Sequence, residues 1–318
     1  MFMGFSIAVE QTVCVICGSQ AAEPEASGQD YIYSSCSDTF SFVRCLSCSH
    51  IYQNPRPSPE AALTIYPDTH LCFAGTIANS VFVSRAKRWG ILRRLKDLLA
   101  AKRSLRILEI GFGDGDLLLA IRSYLPYAEL EGLDFHVHPD TAEKLEANRI
   151  KLLGGMAEDM TLEDNAYDVI IMNQLVEHLW DVDKVFKACF AALKHSGCMS
   201  IETPDSSGYD RQLFRCGTWG GYYFPRHLNI FNQDGLKQVL IRNGFEVIKS
   251  YSTVAPVLWV FTMMAIARRH PAWSWLRKIC TPTNVLPIAA FAVVDLVAIG
   301  VGLTSSNQRV VARKLISQ

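Results

Sequence analysis

The chain has 318 residues, with 31 Lys and Arg against 31 Asp and Glu and a pI near 7.1. That balance leaves no basic footprint, so no nucleic-acid partner is expected. Met1 to Val13 has neither a basic n-region nor a long apolar core, so no secretory signal is read, and the ten cysteines read as thiols and metal ligands of a cytoplasmic protein rather than as disulfides.

The first motif is Cys14-x-x-Cys17 with Cys45-x-x-Cys48, two knuckles separated by 27 residues. Four thiolates in two such pairs suit tetrahedral Zn2+, which predicts a closed structural site that does no chemistry itself. Cys36 lies in the gap as a spare ligand. Unrelated thiols, an Fe–S cluster or a redox pair are the alternatives. Pro55, Pro57 and Pro59 then make a stiff linker, and Ser58 is placed to cap a short helix through Tyr66. Between 77 and 100, apolar residues such as Phe82, Trp89, Leu92 and Leu99 recur at helical spacing, which predicts a covering helix with a basic outer face.

Leu105 to Leu117 is the stretch around which the rest of the chain is organised. Leu105 to Ile110 is a short apolar run of the kind that forms a buried parallel strand. Gly111, Gly113 and Gly115 come next, and a helical pattern opens at Leu117. Strand, glycine turn and helix begin a doubly wound sheet. A dinucleotide site of the G-x-G-x-x-G type needs glycine at 116, and the chain has Asp116 there. With Glu109 and Asp114 it makes the turn acidic, poor for phosphate and suited to a cationic ligand. The next strand, Leu130 to Asp134, ends in an acid 19 residues past Gly115. Asp134 is therefore the expected acceptor of two ribose hydroxyls, with Phe135 along the adenine edge.

This glycine stretch resembles motif I of the class I S-adenosylmethionine-dependent methyltransferases, whose donor is a sulfonium with an ammonium tail. The resemblance implies a seven-stranded Rossmann-like α/β sheet. It gives Ala157 and Glu158, after a third strand at Ile150–Leu153, to the loop that holds the adenine. The buried strand Tyr167–Asn173 runs into Gln174-Leu175-Val176-Glu177-His178-Leu179, which is similar to the family's signature beside the donor methyl. That adds Gln174 to the donor contacts and makes His178 a candidate catalytic residue. The four-cysteine lobe with Asn54-Pro55-Arg56-Pro57-Ser58 resembles the N-terminal region of bacterial methyltransferases that act on sugars or glycan precursors.

A helix over 183–194 and a fifth strand at Gly197–Glu202 lead to an aromatic stretch, Trp219 to Asn229. It reads as a long acceptor-side loop, with Tyr223, Arg226 and His227 as substrate candidates, Tyr223 and His227 among them catalytic. A helix capped at Asn232 and stopped by Gly244 precedes a sixth strand, Phe245–Val254. The last strand, Gln308–Leu315, should slot antiparallel between the fifth and sixth, as the resemblance implies. Residues 255–307 are then an apolar insertion.

The insertion holds apolar runs at Val254–Ala267 and Val285–Leu303 around a turn with Trp273, Trp275, Arg277 and Lys278. Trp and Arg/Lys flanks suit a membrane interface. The first run spans only ~21 Å as helix against a ~30 Å hydrocarbon core, and Asp295 interrupts the second. The expectation is a shallow hairpin in one leaflet through 255–303, or an apolar lid on the protein or on a homodimer partner.

The expected organisation is a zinc lobe with linker over 1–76 and a methyltransferase domain over 77–318. The expected function is methyl transfer from S-adenosylmethionine to a small-molecule, lipid-linked or sugar and glycan-precursor acceptor. Sugar C-methyltransferases with a similar lobe usually carry a second C-terminal domain, and its lack here shifts the expectation toward a lipid-linked acceptor. The localisation expected is cytoplasmic, peripheral on the inner face of the membrane if the hairpin docks. A non-catalytic interaction protein with a vestigial sheet and an NAD-dependent oxidoreductase are the competing readings.

Overall fold

The computed structural model describes residues 7–66 and 105–315. The covering helix expected over 77–100 lies outside the described residues. The chain separates into two compact units. Among the described residues, the sheet unit holds 105–202, 239–250 and 309–315, and the lobe unit holds 7–66, 203–238 and 251–308. The expected boundary at 76/77 lies outside the described residues. The aromatic stretch and the insertion cluster with the cysteine lobe, because their apolar faces are buried there.

In the sheet unit the elements agree closely with the sequence pattern. They are β6 (Arg106–Ile110), α2 (Asp116–Tyr124), β7 (Glu129–Asp134), α3 (Pro139–Ala147), β8 (Ile150–Gly154), β9 (Tyr167–Asn173), α4 (Val182–Ala192), β10 (Leu193–Pro204), β12 (Phe245–Ser252) and β13 (Asn307–Lys314), while α6 (Gln233–Arg242) runs through the chain division at 238/239. The strand order is β12-β13-β10-β9-β6-β7-β8, with the last strand slotted between the fifth and sixth of the sheet as expected. The pairs β10–β9, β9–β6, β6–β7 and β7–β8 are parallel. Six of the seven residues of β9 are buried, as a central strand covered on both faces requires. Ile107, Leu118, Ile121, Leu145, Val169 and Ile171 pack together as one core. Gly132 sits opposite Glu109, and a Cβ there would come within 2.7 Å of the Phe112 ring. Helix α3 is capped by the His138 side chain, which accepts the Asp140 N–H.

The lobe unit contains β1 (Val9–Glu10), β2 (Ala22–Gly28), β3 (Phe40–Cys45), β4 (Ile51–Gln53), β5 (Arg56–Pro57), α1 (Ala62–Ile65), α5 (Tyr209–Phe214), β11 (Asn229–Ile230), α7 (Pro256–Arg269), α8 (Leu276–Ile279) and α9 (Val285–Gly300). Ser58 stands at the start of the short helical turn, but its side chain makes no cap bond. Strands β11-β4-β3-β2 form an antiparallel sheet. Strand β11 comes from the aromatic stretch, and Trp219, Tyr222, Phe224 and Ile230 pack with Phe42, Ile51 and Ile65. The expected open acceptor loop is therefore largely core. Burying these rings removes apolar area from water at about 25 cal/mol per Å², which outweighs the irregular backbone they need.

Helices α7 and α9 form a hairpin in which Trp259 stacks on Phe291 at 5.3 Å. Asp295 is buried, and it accepts the Ala255 N–H (2.6 Å) and the Trp259 indole N–H (2.9 Å). The acid that interrupted the second apolar run is thus a buried clasp at the N-terminus of α7. No helix among the described residues is long and apolar enough to cross a membrane.

Candidate functional site

The glycine turn is clamped to the end of β7. Gly111, Gly113 and Gly115 have φ of +74°, +53° and +72°, a region closed to most side-chain-bearing residues. The Gly111 N–H donates to the Leu133 carbonyl at 2.7 Å, and the Gly113 N–H donates to Asp134 Oδ2 at 2.9 Å. Asp134 Oδ1 accepts the His136 N–H at 3.3 Å. Burial raises the pKa of Asp134, opposed by the N–H groups of Gly113, His136 and Phe135. A carboxylate offers about four acceptor positions, so the N–H groups that orient Asp134 do not exhaust its capacity for a ribose. Glu109 is buried one residue before the end of β6. Asp114 and Asp116 do not complete a cradle. Asp114 Oδ1 accepts the Asp116 N–H at the start of α2, and Asp116 pairs with Lys144 at 3.6 Å.

The remaining sheet-unit candidates come after β7, β8 and β9. Phe135 is half-buried with its ring 6.3 Å from that of His136. Ala157 is buried in the turn Ala157–Asp159. Glu158 Oε1 accepts the Trp180 N–H at 2.8 Å, so this acid ties the loop after β8 to the loop after β9. Gln174 is exposed with φ +52°, and its N–H donates to the Glu202 carbonyl at 2.7 Å. His178 closes the turn Val176–His178 with its ring 16% exposed, and its Nε2 lies 4.0 Å from Oε1 of the fully buried Glu177. Sequence reasoning passed over Glu177, because nothing in a Glu-His pair says which of the two is buried.

Tyr223 and His227 belong to the lobe unit. His227 is buried with Nδ1 2.7 Å from the Gly221 carbonyl. A carbonyl only accepts, so Nδ1 carries a proton. Tyr223 adopts the left-handed conformation (φ 37°, ψ 49°). Its ring stacks on Phe261 at 5.0 Å, and its hydroxyl lies 3.2 Å from that of Tyr33. With Trp219, Phe224 and Tyr31 it lines an aromatic recess.

Arg226 is not a substrate contact. It is fully buried and grips Asp30 through both oxygens at 3.1 and 2.9 Å. Its guanidinium lies over the Tyr33 ring at 4.4 Å. Burial would raise the pKa of Asp30, but the hydrogen bonds and charge of Arg226, with the N–H groups of Ser35 and Tyr33, hold it at about 2.

The four cysteines come together. Their sulfurs all lie within 4.8 Å of one another, with Cys14–Cys48 at 3.4 Å and Cys17–Cys45 at 3.5 Å. A ~2.3 Å Zn–S bond in a tetrahedron sets sulfurs ~3.8 Å apart, so this donor set fits Zn2+. Burial pushes the Cys45 thiol up, but the N–H groups of Cys48 and Ser47 outweigh it and hold it at about 7. Cys36 is outside the cluster.

A methyltransferase-domain family matches residues 84–250, just over half of the chain, and the chain belongs to that family. It is 28% identical over 148 residues to a probable S-adenosylmethionine-dependent methyltransferase of Mycolicibacterium smegmatis, covering 44% of this chain and 52% of that one. It is 25% identical over 126 residues to a demethylmenaquinone methyltransferase of Roseiflexus sp., covering 38% and 50%. The chain spans about half the length of the curated relatives it matches. Phosphoethanolamine N-methyltransferase 2 of Haemonchus contortus, solved with S-adenosyl-L-methionine, shares the fold at a TM-score of 0.55 and 17% identity, covering 93% of this chain and 69% of that one. The sheet is that of a class I S-adenosylmethionine-dependent methyltransferase.

Proposed function

We propose that the chain transfers a methyl group from S-adenosylmethionine to a small-molecule, lipid-linked or glycan-precursor acceptor. The observation that carries this reading is Asp134, oriented by the Gly113 N–H at 2.9 Å with acceptor capacity left for a ribose. When bound, the donor supplies an electrophilic methyl on a sulfonium. Asp134 takes the ribose hydroxyls, and Glu109 adds negative charge for a cationic ligand. Gly111, Gly113 and Gly115 let the backbone approach, and Phe135, Ala157 and Gln174 stand at the loops that border it. Glu158 contributes by holding two of those loops together.

Methyl transfer is an in-line displacement, so the residues of the acceptor side must align the acceptor and, where its pKa requires, take its proton. His178, beside the Glu177 carboxylate, and His227, held through Nδ1 by the Gly221 carbonyl, are imidazoles of the kind suited to that near neutral pH. Tyr223 contributes ring surface and a hydroxyl. The aromatic lining around Tyr223 favours an acceptor with an apolar part. Cys14, Cys17, Cys45 and Cys48 would hold Zn2+ as a structural staple of the lobe.

Calorimetry tests the donor. S-adenosylmethionine or its demethylated product should bind and NAD should not, and a preference for NAD overturns the reading. Mass spectrometry of a lysate supplied with methyl-labelled donor then identifies the acceptor. Donor binding with no labelled product from any extract would favour the non-catalytic alternative.

A further inference from the structure

The insertion hairpin carries a surface that methyl transfer does not use. Helix α9 is apolar throughout except for Asp295, which is turned inward. Its outer face is made of Leu286, Ala290, Val293, Leu296, Val297 and, just beyond it, Val301, with Leu286 79%, Leu296 60% and Val301 71% exposed. These recur at the spacing of one helical face, so they form a continuous stripe with no polar residue in it. A helix that is apolar all round is ordinarily covered by protein or by lipid.

The turn before α9 says which. Trp273 and Trp275 are each half exposed, with ring centroids 6.2 Å apart. Arg268, Arg269, His270, Arg277 and Lys278 are all exposed around them. Between 254 and 306 there are four Lys/Arg against one acid, in a chain that is neutral overall. That one acid is Asp295, buried and hydrogen-bonded, so the hairpin segment sets no exposed acid of its own against its four cations. Burial lowers the pKa of Arg268 and the neighbouring charge of Arg277 adds to it, while Asp30 opposes both and offsets them only in part. The two cations therefore still crowd one another where a further anion would relieve them. A second copy of this cationic turn would not relieve that repulsion.

We infer that the outer face of α9 and the Trp-bearing basic turn form a monotopic docking surface for an anionic lipid bilayer. The apolar stripe enters the acyl boundary, while the indoles and the five basic side chains sit at headgroup level. With 16 residues, α9 reaches ~24 Å against a ~30 Å hydrocarbon core, so it occupies one leaflet and does not span.

The test is vesicle flotation of the full chain without donor, so its outcome is independent of methyl transfer. Phosphatidylglycerol-containing and pure phosphatidylcholine vesicles are compared at low and high salt. Two surface variants are run beside the intact chain: Val293→Gln with Leu296→Gln and Val297→Gln, and Arg277→Glu with Lys278→Glu. Circular dichroism checks that each is folded. The intact chain should float with anionic vesicles, and about tenfold less on neutral ones or in high salt. Each variant should lose about tenfold or more. The charge variant keeps the test valid if the apolar one misfolds. An intact chain that stays with the soluble fraction on anionic vesicles at low salt overturns the proposal, as does unchanged flotation of both variants. A dimer by light scattering that becomes monomeric in the apolar variant, with no flotation, assigns the face to a second copy and also overturns it.

Discussion

The two units are encoded in different ways. In the sheet unit, strands and helices alternate along the sequence, and the proposed donor-side residues Glu109, Gly111, Gly113, Gly115 and Asp134 lie within 26 residues of chain. In the lobe unit, contacts join segments far apart. Arg226 grips Asp30 across 196 positions, Gln53 donates to the His227 carbonyl across 174, and β11 pairs with β4. The proposed donor site has a local motif, whereas the lobe unit, built from three distant segments, has no local signature. Specificity is accordingly expected to reside in the lobe unit and cofactor use in the sheet unit, and substitutions should separate the two.

The largest expected effect is on the cysteine cluster. Protein purified without a tag should carry about one zinc per chain. Cys45→Ser should lower that content and destabilise the lobe unit, read by elemental analysis and by melting followed with circular dichroism. Unchanged zinc removes Cys45 from the ligand set. Donor binding, measured in the same protein, should respond less than lobe stability does.

Next comes the buried ion pair. Arg226→Met leaves Asp30 buried without its partner and should cost about 3–5 kcal/mol of stability, measured by chemical denaturation. A stable variant with lowered acceptor turnover would instead return Arg226 to the substrate contacts from which its burial removed it.

Catalysis should respond at the histidines. At least one of His178→Ala and His227→Ala should lower turnover by ~10²-fold or more while donor affinity holds. Full activity in both would mean that positioning alone carries the reaction. On the donor side, Asp134→Ala should weaken S-adenosylmethionine binding through lost charge-assisted hydrogen bonds, each ~1.5–3 kcal/mol, and leave the lobe's zinc content unchanged.

The smallest expected effect is on acid stability. Asp30 titrates at about 2 in the folded chain against ~3.9 unfolded, so its stabilisation is complete above ~4 and is lost as pH falls from there through 2. Unfolding midpoints taken across that window should fall with pH. In Arg226→Met, burial then acts on Asp30 without the guanidinium and its pKa rises, so this acid-side loss should shrink or reverse.

By itself the sequence determined the order and limits of the sheet-unit strands, because an apolar run ending in a glycine turn constrains the backbone locally. Tyr167–Asn173 as the buried strand and Gly115 before α2 were legible for that reason. It also determined the cysteine pairing into one cluster, since two knuckles of matching chemistry have few other uses. Only the tertiary structure decided what the aromatic stretch does. Trp219, Tyr222 and Arg226 look alike as loop residues or core residues in one dimension, and it was the packing of Phe42, Ile51 and Asp30 against them that buried them. The same holds for Asp295, which reads as a break in an apolar run. It became a clasp because the fold brings the Ala255 N–H and the Trp259 indole to it. A buried polar group is tolerated where donors meet it, and donors 36 and 40 positions away are supplied by folding, not by spacing.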